Sequence, residues 1–222
     1  MHRLMEILRH VEAEPLLDEI SPDGNTQTVK AHQVADYVLH MPPCMQNIYH
    51  ELQANHHLKY WGRQHFGIFL KSLGLNITES LVFWKDAFAP KIDESKFNKE
   101  YAYNVKHIYG QVGGRMVAPN LTCQKVISSD EPCTGCPFKK FNVDALRASL
   151  QRYKVLDEHQ INDIISTAKK NQNYQEACTK TLVYTKKIEK DHIDVITHPH
   201  LFLRESLRQT EGERPTDPAD AF

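Results

Sequence analysis

No apolar run in this 222-residue chain approaches the ~20 residues that cross a bilayer, so no helical membrane span is expected. There is no H-E-x-x-H, no G-x-S-x-G, no Walker motif and no dinucleotide fingerprint. Closely paired Asp residues of the kind that hold two metals for nucleotidyl transfer are missing too, so catalysis has little to stand on. Residues 1–6 turn charged too early for a signal peptide, which favours a reducing intracellular compartment where cysteines serve as ligands or free thiols. Net charge is almost absent, at −1, which alone argues against generic nucleic-acid binding. No internal repeat is visible. The most telling scarcity is local. No Asp or Glu occurs between Glu51 and Glu79, a window that holds His56, His57, Lys59, Arg63, His65 and Lys71. Residues 101–129 are acid-free as well and contain Lys106, His107, Arg115 and Lys125. A neutral protein with two such windows can still present a positive groove.

What the chain does have is five cysteines: Cys44, Cys123, Cys133, Cys136 and Cys178. Cys133 and Cys136 form a C-x-x-C pair, equally suited to zinc or redox chemistry. Structural zinc normally takes two such local pairs, and here there is one. Cys136-Pro137 is a habit of iron–sulfur ligands, whose thiolates come from remote segments when the fold is built around the cluster. Remoteness is affordable, since each doubling of a closed loop costs only ~0.6 kcal/mol. Buried, unlinked thiols are the plain alternative.

Hydrophobic residues make up 41%, enough for a modest core. Residues 1–20 read as a short amphipathic helix (Leu4, Ile7, Leu8, Val11), closed by Pro15 or the Ser21-Pro22-Asp23-Gly24 turn. Pro42 and Pro43 open the next helix, with Met45, Ile48 and Leu52 as one stripe. A longer helix is expected over 57–73, with Leu58, Trp61, Ile68 and Phe69 inward and Gly74 as its C-cap. Asn76 and Glu79 form a capping box for a third helix whose core residues are Leu81, Phe83, Trp84 and Phe88, stopped by Pro90. Helix resumes over 91–104. Residues 109–137 read as loop with short strands; helices return at 143–153, 157–169, 174–184 and 202–208, with a strand or turn around 194–197. Residues 210–222, acidic and proline-bearing, are expected to be disordered.

Spaced i, i+3 and i+7, His56, Lys59 and Arg63 share one helix face, with Tyr60 beside them and Lys71 two turns on. Such a face can hold phosphates and stack a base. Tyr101, Tyr103 and Asn104 add two rings and an amide, followed by Lys106 and His107. Arg115, after Gly113-Gly114, suits a flexible phosphate contact. His198-Pro199-His200 reads as a turn with a capping histidine.

A set of motifs then carries a specific likeness. Pro42-Pro43-Cys44-Met45, Asn55-His56-His57-Leu58-Lys59, Gly62-Arg63, Phe69-Leu70-Lys71-Ser72-Leu73-Gly74-Leu75, Phe83-Trp84 and Phe97-Asn98-Lys99-Glu100-Tyr101 resemble the C-terminal domain of the eukaryotic-type DNA primase large subunit. So do Tyr103-Asn104, Gly135-Cys136-Pro137-Phe138, Ala177-Cys178-Thr179-Lys180 and His198-Pro199, in the same order along the chain. The resemblance implies a mainly α fold with a few short strands, as two helical subdomains packed around one 4Fe–4S cluster. It divides the chain into an N-terminal helix and linker (1–40), the iron–sulfur domain (41–209) and an acidic tail (210–222). Its implied ligands are Cys44, Cys123, Cys136 and Cys178; Cys133 is an extra thiol that can exchange with Cys136. It further implies a non-catalytic, nuclear replication protein that binds the junction of single-stranded DNA template and RNA primer, and the primer's 5′-triphosphate. His57, Lys59, Tyr60, Arg63, Lys71, Tyr103 and Asn104 would carry that contact. The partners would be the catalytic small subunit and polymerase alpha, with no membrane. Phe66 stands where tyrosine is common in the family. Two other classes remain: a structural zinc module, and an iron–sulfur DNA-processing enzyme such as a glycosylase or photolyase. The latter is suggested by a loose helix–hairpin–helix likeness at Leu70-Lys71-Ser72-Leu73-Gly74-Leu75. No catalytic Asp or Lys follows that turn, and the cysteines are dispersed where glycosylase ligands cluster.

Overall fold

The computed structural model describes residues 28–131, 133–189 and 193–212. The expected helix at 1–20 lies outside them. A ten-residue 3-10 helix, Ala31–His40, leads into eleven α-helices. These are α1 (Pro43–Asn55), α2 (Tyr60–Leu73), α3 (Ile77–Phe88), α4 (Glu94–Glu100), α5 (Ala102–Ile108), α6 (Cys123–Ser128), α7 (Pro137–Lys140), α8 (Val143–Gln151), α9 (Glu158–Lys169), α10 (Tyr174–Lys186) and α11 (Pro199–Gly212). The fold is thus mainly α. The few short strands expected are not there: among the described residues the sole β feature is an isolated bridge between Tyr109 and Val117. Residues 194–197 bond outward instead, with the Thr197 carbonyl accepting from the Cys123 N–H at 2.7 Å.

The helix boundaries follow local chemistry. Pro42 and Pro43 start α1, where a missing N–H costs nothing, and His56 ends it in the left-handed region at φ 46°. Gly74, at φ 105°, closes α2 and returns its N–H to the Leu70 and Lys71 carbonyls. Asn76 caps α3 by accepting from the Glu79 N–H, but the capping box is half right. The Glu79 carboxylate instead reaches 48 residues back to the Ala31 N–H at 2.9 Å and to Lys30 at 3.2 Å, tying the 3-10 helix down. Asp157 and Gln160 do form a full capping box at α9. The helix expected over 91–104 breaks at Tyr101 into α4 and α5, and α2 begins at Tyr60, not at 57. The segment 109–137 contains a helix, α6, that its glycines and prolines hid. At the other end α11 continues to Gly212, so helix takes up the first residues assigned to the tail; residues 213–222 lie outside the description.

Two groups of helices meet at α1 and at α11, which packs on both α2 and α10. On one side α2, α3, α4 and α5 pack around an aromatic core; on the other α7, α8, α9 and α10 pack together, and α1 touches α2, α7 and α8. The aromatic core is built from Phe66, Phe69, Phe83, Trp84, Phe88 and Phe97, all nearly inaccessible to solvent. Phe66 sits at its centre, with four ring neighbours at 6.0–6.2 Å. Offset and edge-on pairs of this kind add to what area burial alone provides. One expected core residue is misassigned. Trp61 is 44% exposed, because Gly62 and not Trp61 turns toward the protein.

A thiol-lined cavity and a cationic face

Cys44, Cys123, Cys136 and Cys178 line one cavity, together with Pro43, Val126, Ile127, Pro137, Phe138, Tyr174 and Gln175. Each thiol is delivered by a different element. Cys44 is the second residue of α1, Cys123 opens α6, Cys136 caps α7 and Cys178 lies in the second turn of α10. None is in a disulfide. Burial pushes all four thiols up, the Cys44 and Cys178 thiols well above their ordinary range and Cys123 to about 12. Their mutual repulsion adds to this at Cys44, Cys123 and Cys178, which places them within electrostatic reach of one another. Four neighbouring thiols in an apolar pocket stay protonated unless a cation takes the place of the protons.

That donor set fits an iron–sulfur cluster: four sulfur ligands, remote in sequence, with apolar side chains excluding water. No group of three or more His, Cys, Asp or Glu side chains placed to hold a metal ion occurs among the described residues. Structural zinc normally takes two local C-x-x-C pairs, and here Cys133 of the single pair is turned away from the cavity.

Cys133 is elsewhere. Its sulfur faces α2, 2.9 Å from where a Cβ on Gly62 would stand. It helps line a second cavity of about 300 Å³ with Glu51, Asn55, His57, Leu58, Lys59 and Lys91. Gly135, at φ 99°, lets the chain turn between the two sites, and the Asn47 amide donates to the Cys133 carbonyl at 3.2 Å.

Beside this second cavity lies the face drawn from the first acid-free window. Lys59 is the N-cap of α2 and is exposed, as is Tyr60. Arg63 is half-buried; it donates to the Leu58 carbonyl at 2.6 Å and lies 5.0 Å from the Tyr101 ring centroid and 5.9 Å from that of Tyr60. Its Nε is buried with no partner among the described residues. His57 packs between Phe88 and Tyr101, and burial followed by the charges of Arg63, Lys91 and Lys96 lowers its pKa. The shared helix face expected of His56, Lys59 and Arg63 does not form, because His56 ends α1 in the left-handed region and Lys59 precedes α2 in extended backbone. Tyr60 and Arg63 do share the start of α2, with Lys59 at its N-cap and His57 and Tyr101 packed into the same knot. Lys91 joins them from outside the acid-free window, a contribution that no motif or spacing in the chain announces.

Other candidates sit apart from that knot. Tyr103 is 57% exposed on α5, its ring near His107; Lys106 and Arg115 are exposed, and Asn104 is half-buried. The ammonium of Lys71 is half-buried and donates to the Ala118 carbonyl at 2.5 Å, where it fastens the loop after α5 to α2. Two buried histidines, His65 and His200, each keep an Nδ1 without a hydrogen bond among the described residues. His198 opens the turn before α11, accepting at its carbonyl from the Leu201 N–H at 3.1 Å.

Residues 37–203 match the family described as the C-terminal domain of the large subunit of eukaryotic and archaeal DNA primase. The chain belongs to this family. Among curated relatives, the mouse and human DNA primase large subunits are each 33% identical over 95% of the chain and 42% of their own lengths. The DNA primase large subunit of Saccharomyces cerevisiae is 31% identical over 99% of the chain and 45% of its own length. The chain thus spans less than half of the relatives it matches. No helix among the described residues is long and apolar enough to cross a membrane.

Proposed function

We propose that this chain is the non-catalytic iron–sulfur module of a DNA primase large subunit, acting in the nucleus during DNA replication. It binds the junction between single-stranded DNA template and RNA primer, gripping the primer's 5′-triphosphate. Nucleotidyl transfer belongs to a separate small subunit, and polymerase alpha joins them in the complete assembly. The observation that carries this reading is the convergence of Cys44, Cys123, Cys136 and Cys178 on one apolar cavity in a chain of this family.

A 4Fe–4S cluster held by these four thiolates would cross-link α1, α6, α7 and α10 and replace their protons with iron. The chain's own residues do the binding. The first N–H groups of α2 have no partner within the helix, and the helix dipole makes that end attractive to an anion. Lys59 stands at this end with its ammonium in solvent, and Arg63 one turn on presents its guanidinium beside two rings. A phosphate chain would meet these cations first, while Tyr60 and Tyr103 offer faces to unpaired bases.

Two measurements test the proposal together. Anaerobically purified protein should contain about four irons per chain with broad visible absorption, and Cys178→Ser should lose iron and core structure together. Binding should favour an RNA–DNA junction carrying a 5′-triphosphate over the same junction ending in a hydroxyl. Equal affinity for both ends, or one zinc per chain in place of iron, overturns the reading.

A further inference from the structure

Only two tryptophans occur in the chain, and they lie in opposite environments. Trp84 is 2% exposed in the aromatic core, whereas Trp61 is 44% exposed in the first turn of α2. Single exposed apolar side chains are common on protein surfaces and need no explanation. Trp61 is not single. The Tyr60 ring, itself 51% exposed, meets it edge-on at 5.1 Å, and the His65 ring flanks its other side at 6.5 Å. Tyr60 is in turn pinned, because the Gln64 amide donates to its hydroxyl at 3.1 Å. The two large rings thus stand side by side on the first turn of one helix, each with part of its surface open to solvent.

The charges around the pair match one kind of partner. Lys59 precedes it and Arg63 follows it, with the guanidinium 5.9 Å from the Tyr60 ring. Lys125 of α6 is exposed and near enough to His65 to add to the lowering of its pKa that burial begins, so the second acid-free window borders the first at His65, beside Trp61. Aromatic faces bordered by cations are the arrangement that binds single-stranded nucleic acid: phosphates go to the cations and a base to the ring. A docking site for a protein partner would also use a tryptophan, but Lys59 and Arg63, before and after it on the same turn, favour a polyanion.

We propose that Trp61, braced by Tyr60, is a stacking platform for an unpaired base of the strand whose phosphates Lys59 and Arg63 hold. This rests on the functional reading above and adds to it a residue and a contact that the binding motifs do not include.

The two-tryptophan composition makes the test direct. Trp84 is sealed from solvent, so any change of indole emission on adding nucleic acid reports Trp61. Titrating the intact protein with a triphosphate-ended RNA–DNA junction bearing a single-stranded template overhang should quench emission. Trp61→Phe should abolish the quenching while retaining affinity. Trp61→Ala should weaken binding by roughly five- to a hundredfold, the range for loss of one stacked base. A melting profile like that of the parent shows that this variant is folded. Fluorescence anisotropy of a labelled junction, read in parallel, separates the two levels of failure. If the parent protein binds the junction and the indole emission stays unchanged, or if Trp61→Ala binds as tightly as the parent, the platform is refuted and the functional reading stands. If the parent does not bind at all, both fall. Quenching by a protein partner with none from the oligonucleotide would assign the surface to protein docking and also refute the proposal.

Discussion

Gly62→Ala is the sharpest probe of how the two sites are joined, because its effect should change sign with the residue at position 133. An added methyl at Gly62 would stand 2.9 Å from the Cys133 sulfur, and 3.3 Å from the Leu58 Cβ. The first distance is shorter than packed atoms tolerate, so the sulfur must move. Its carbonyl is held by the Asn47 amide, leaving rotation about a single side-chain bond as the escape. Overpacking of this kind costs about 1–3 kcal/mol. Alanine in place of glycine offsets this by at most about 1 kcal/mol of helix propensity, and by less in a first turn. The net expectation is a loss of about 1–2 kcal/mol, seen as a Tm lowered by roughly 2–8 °C for a domain of this size. With Cys133→Ala already in place the sulfur is gone and the propensity gain remains, reduced by the Leu58 contact. The same substitution should then raise Tm by about 1–3 °C. The coupling read from the full cycle is about 1–3 kcal/mol, within the range for residues in contact. Iron content adds a second reading: Cys133→Ala should leave it unchanged, since the sulfur lies away from the cavity of the other four thiols. A Gly62→Ala effect of the same sign in both backgrounds would refute the packing argument, and iron loss in Cys133→Ala would refute the ligand assignment.

If Lys59 and Arg63 each neutralise one phosphate, replacing both by Ala should flatten the log–log salt dependence of binding by roughly 1.4–1.8 units; an unchanged slope would put the phosphates elsewhere. Stability should also fall with acidification. His65 and His200 are 4% and 5% exposed, and burial, aided by Lys125 for the first and by His198, Arg204 and Lys71 for the second, lowers their pKa to about 4. Above about pH 6.5 neither folded nor unfolded imidazole is charged. Below it the unfolded chain takes up protons that the fold refuses until near pH 4, so stability drops across that interval. Between pH 7 and 5 each should account for about 2 kcal/mol. Urea midpoints that stay flat over this range would mean that both rings accept protons within the fold.

Where periodicity and caps agree, the sequence is transparent: α1 and α3 begin at the Pro43 and Asn76 signals. Helices α8, α9 and α10 fall close to the expected 143–153, 157–169 and 174–184, and the structure adds their caps, Asn142, Asp157 and Asn173. The failures have equally local causes. Six residues of α6 are too few to show a period, and Thr122, its cap, sits among loop-forming residues. Trp61 was placed inward because an apolar stripe is counted in side chains. The buried line of α2 passes through Gly62, which has none and whose value lies in leaving room for a sulfur. Lys71, two turns along the basic face and read there as a phosphate ligand, gives one of its three N–H donors to a carbonyl 47 residues away, a tie that the sequence does not announce. The family motifs named the four cysteines, but neither their spacing nor any periodicity says that they line one cavity while Cys133, three residues from Cys136, turns to another.

That separation explains why a cavity on one side of α1 should matter to a binding face on the other. The loop carrying Cys133 and Cys136 reaches both places within four residues, reversing at Gly135, where a Cβ would meet the Ser129 carbonyl at 2.9 Å. At one end a sulfur points into the thiol cavity; at the other a sulfur abuts the helix turn from which Lys59, Trp61 and Arg63 project. Helix α1 repeats the connection, running from Cys44 to His56 beside the same face, over about 20 Å of rigid backbone. The segment 109–137 contributes Leu121 and Val126 to the core, and lysine ammoniums hold four of its carbonyls: Lys71 on Ala118, Lys139 on Ile127, and Lys140 on Glu131 and Thr134. Hydrogen bonds of this kind are worth little individually, so a loop fastened by them alone would open readily. A cluster held by the proposed ligands would remove that freedom by cross-linking Cys123 and Cys136 to α1 and α10. In the proposed function the cavity would then serve binding through geometry, by fixing a loop against which the first turn of α2 is packed.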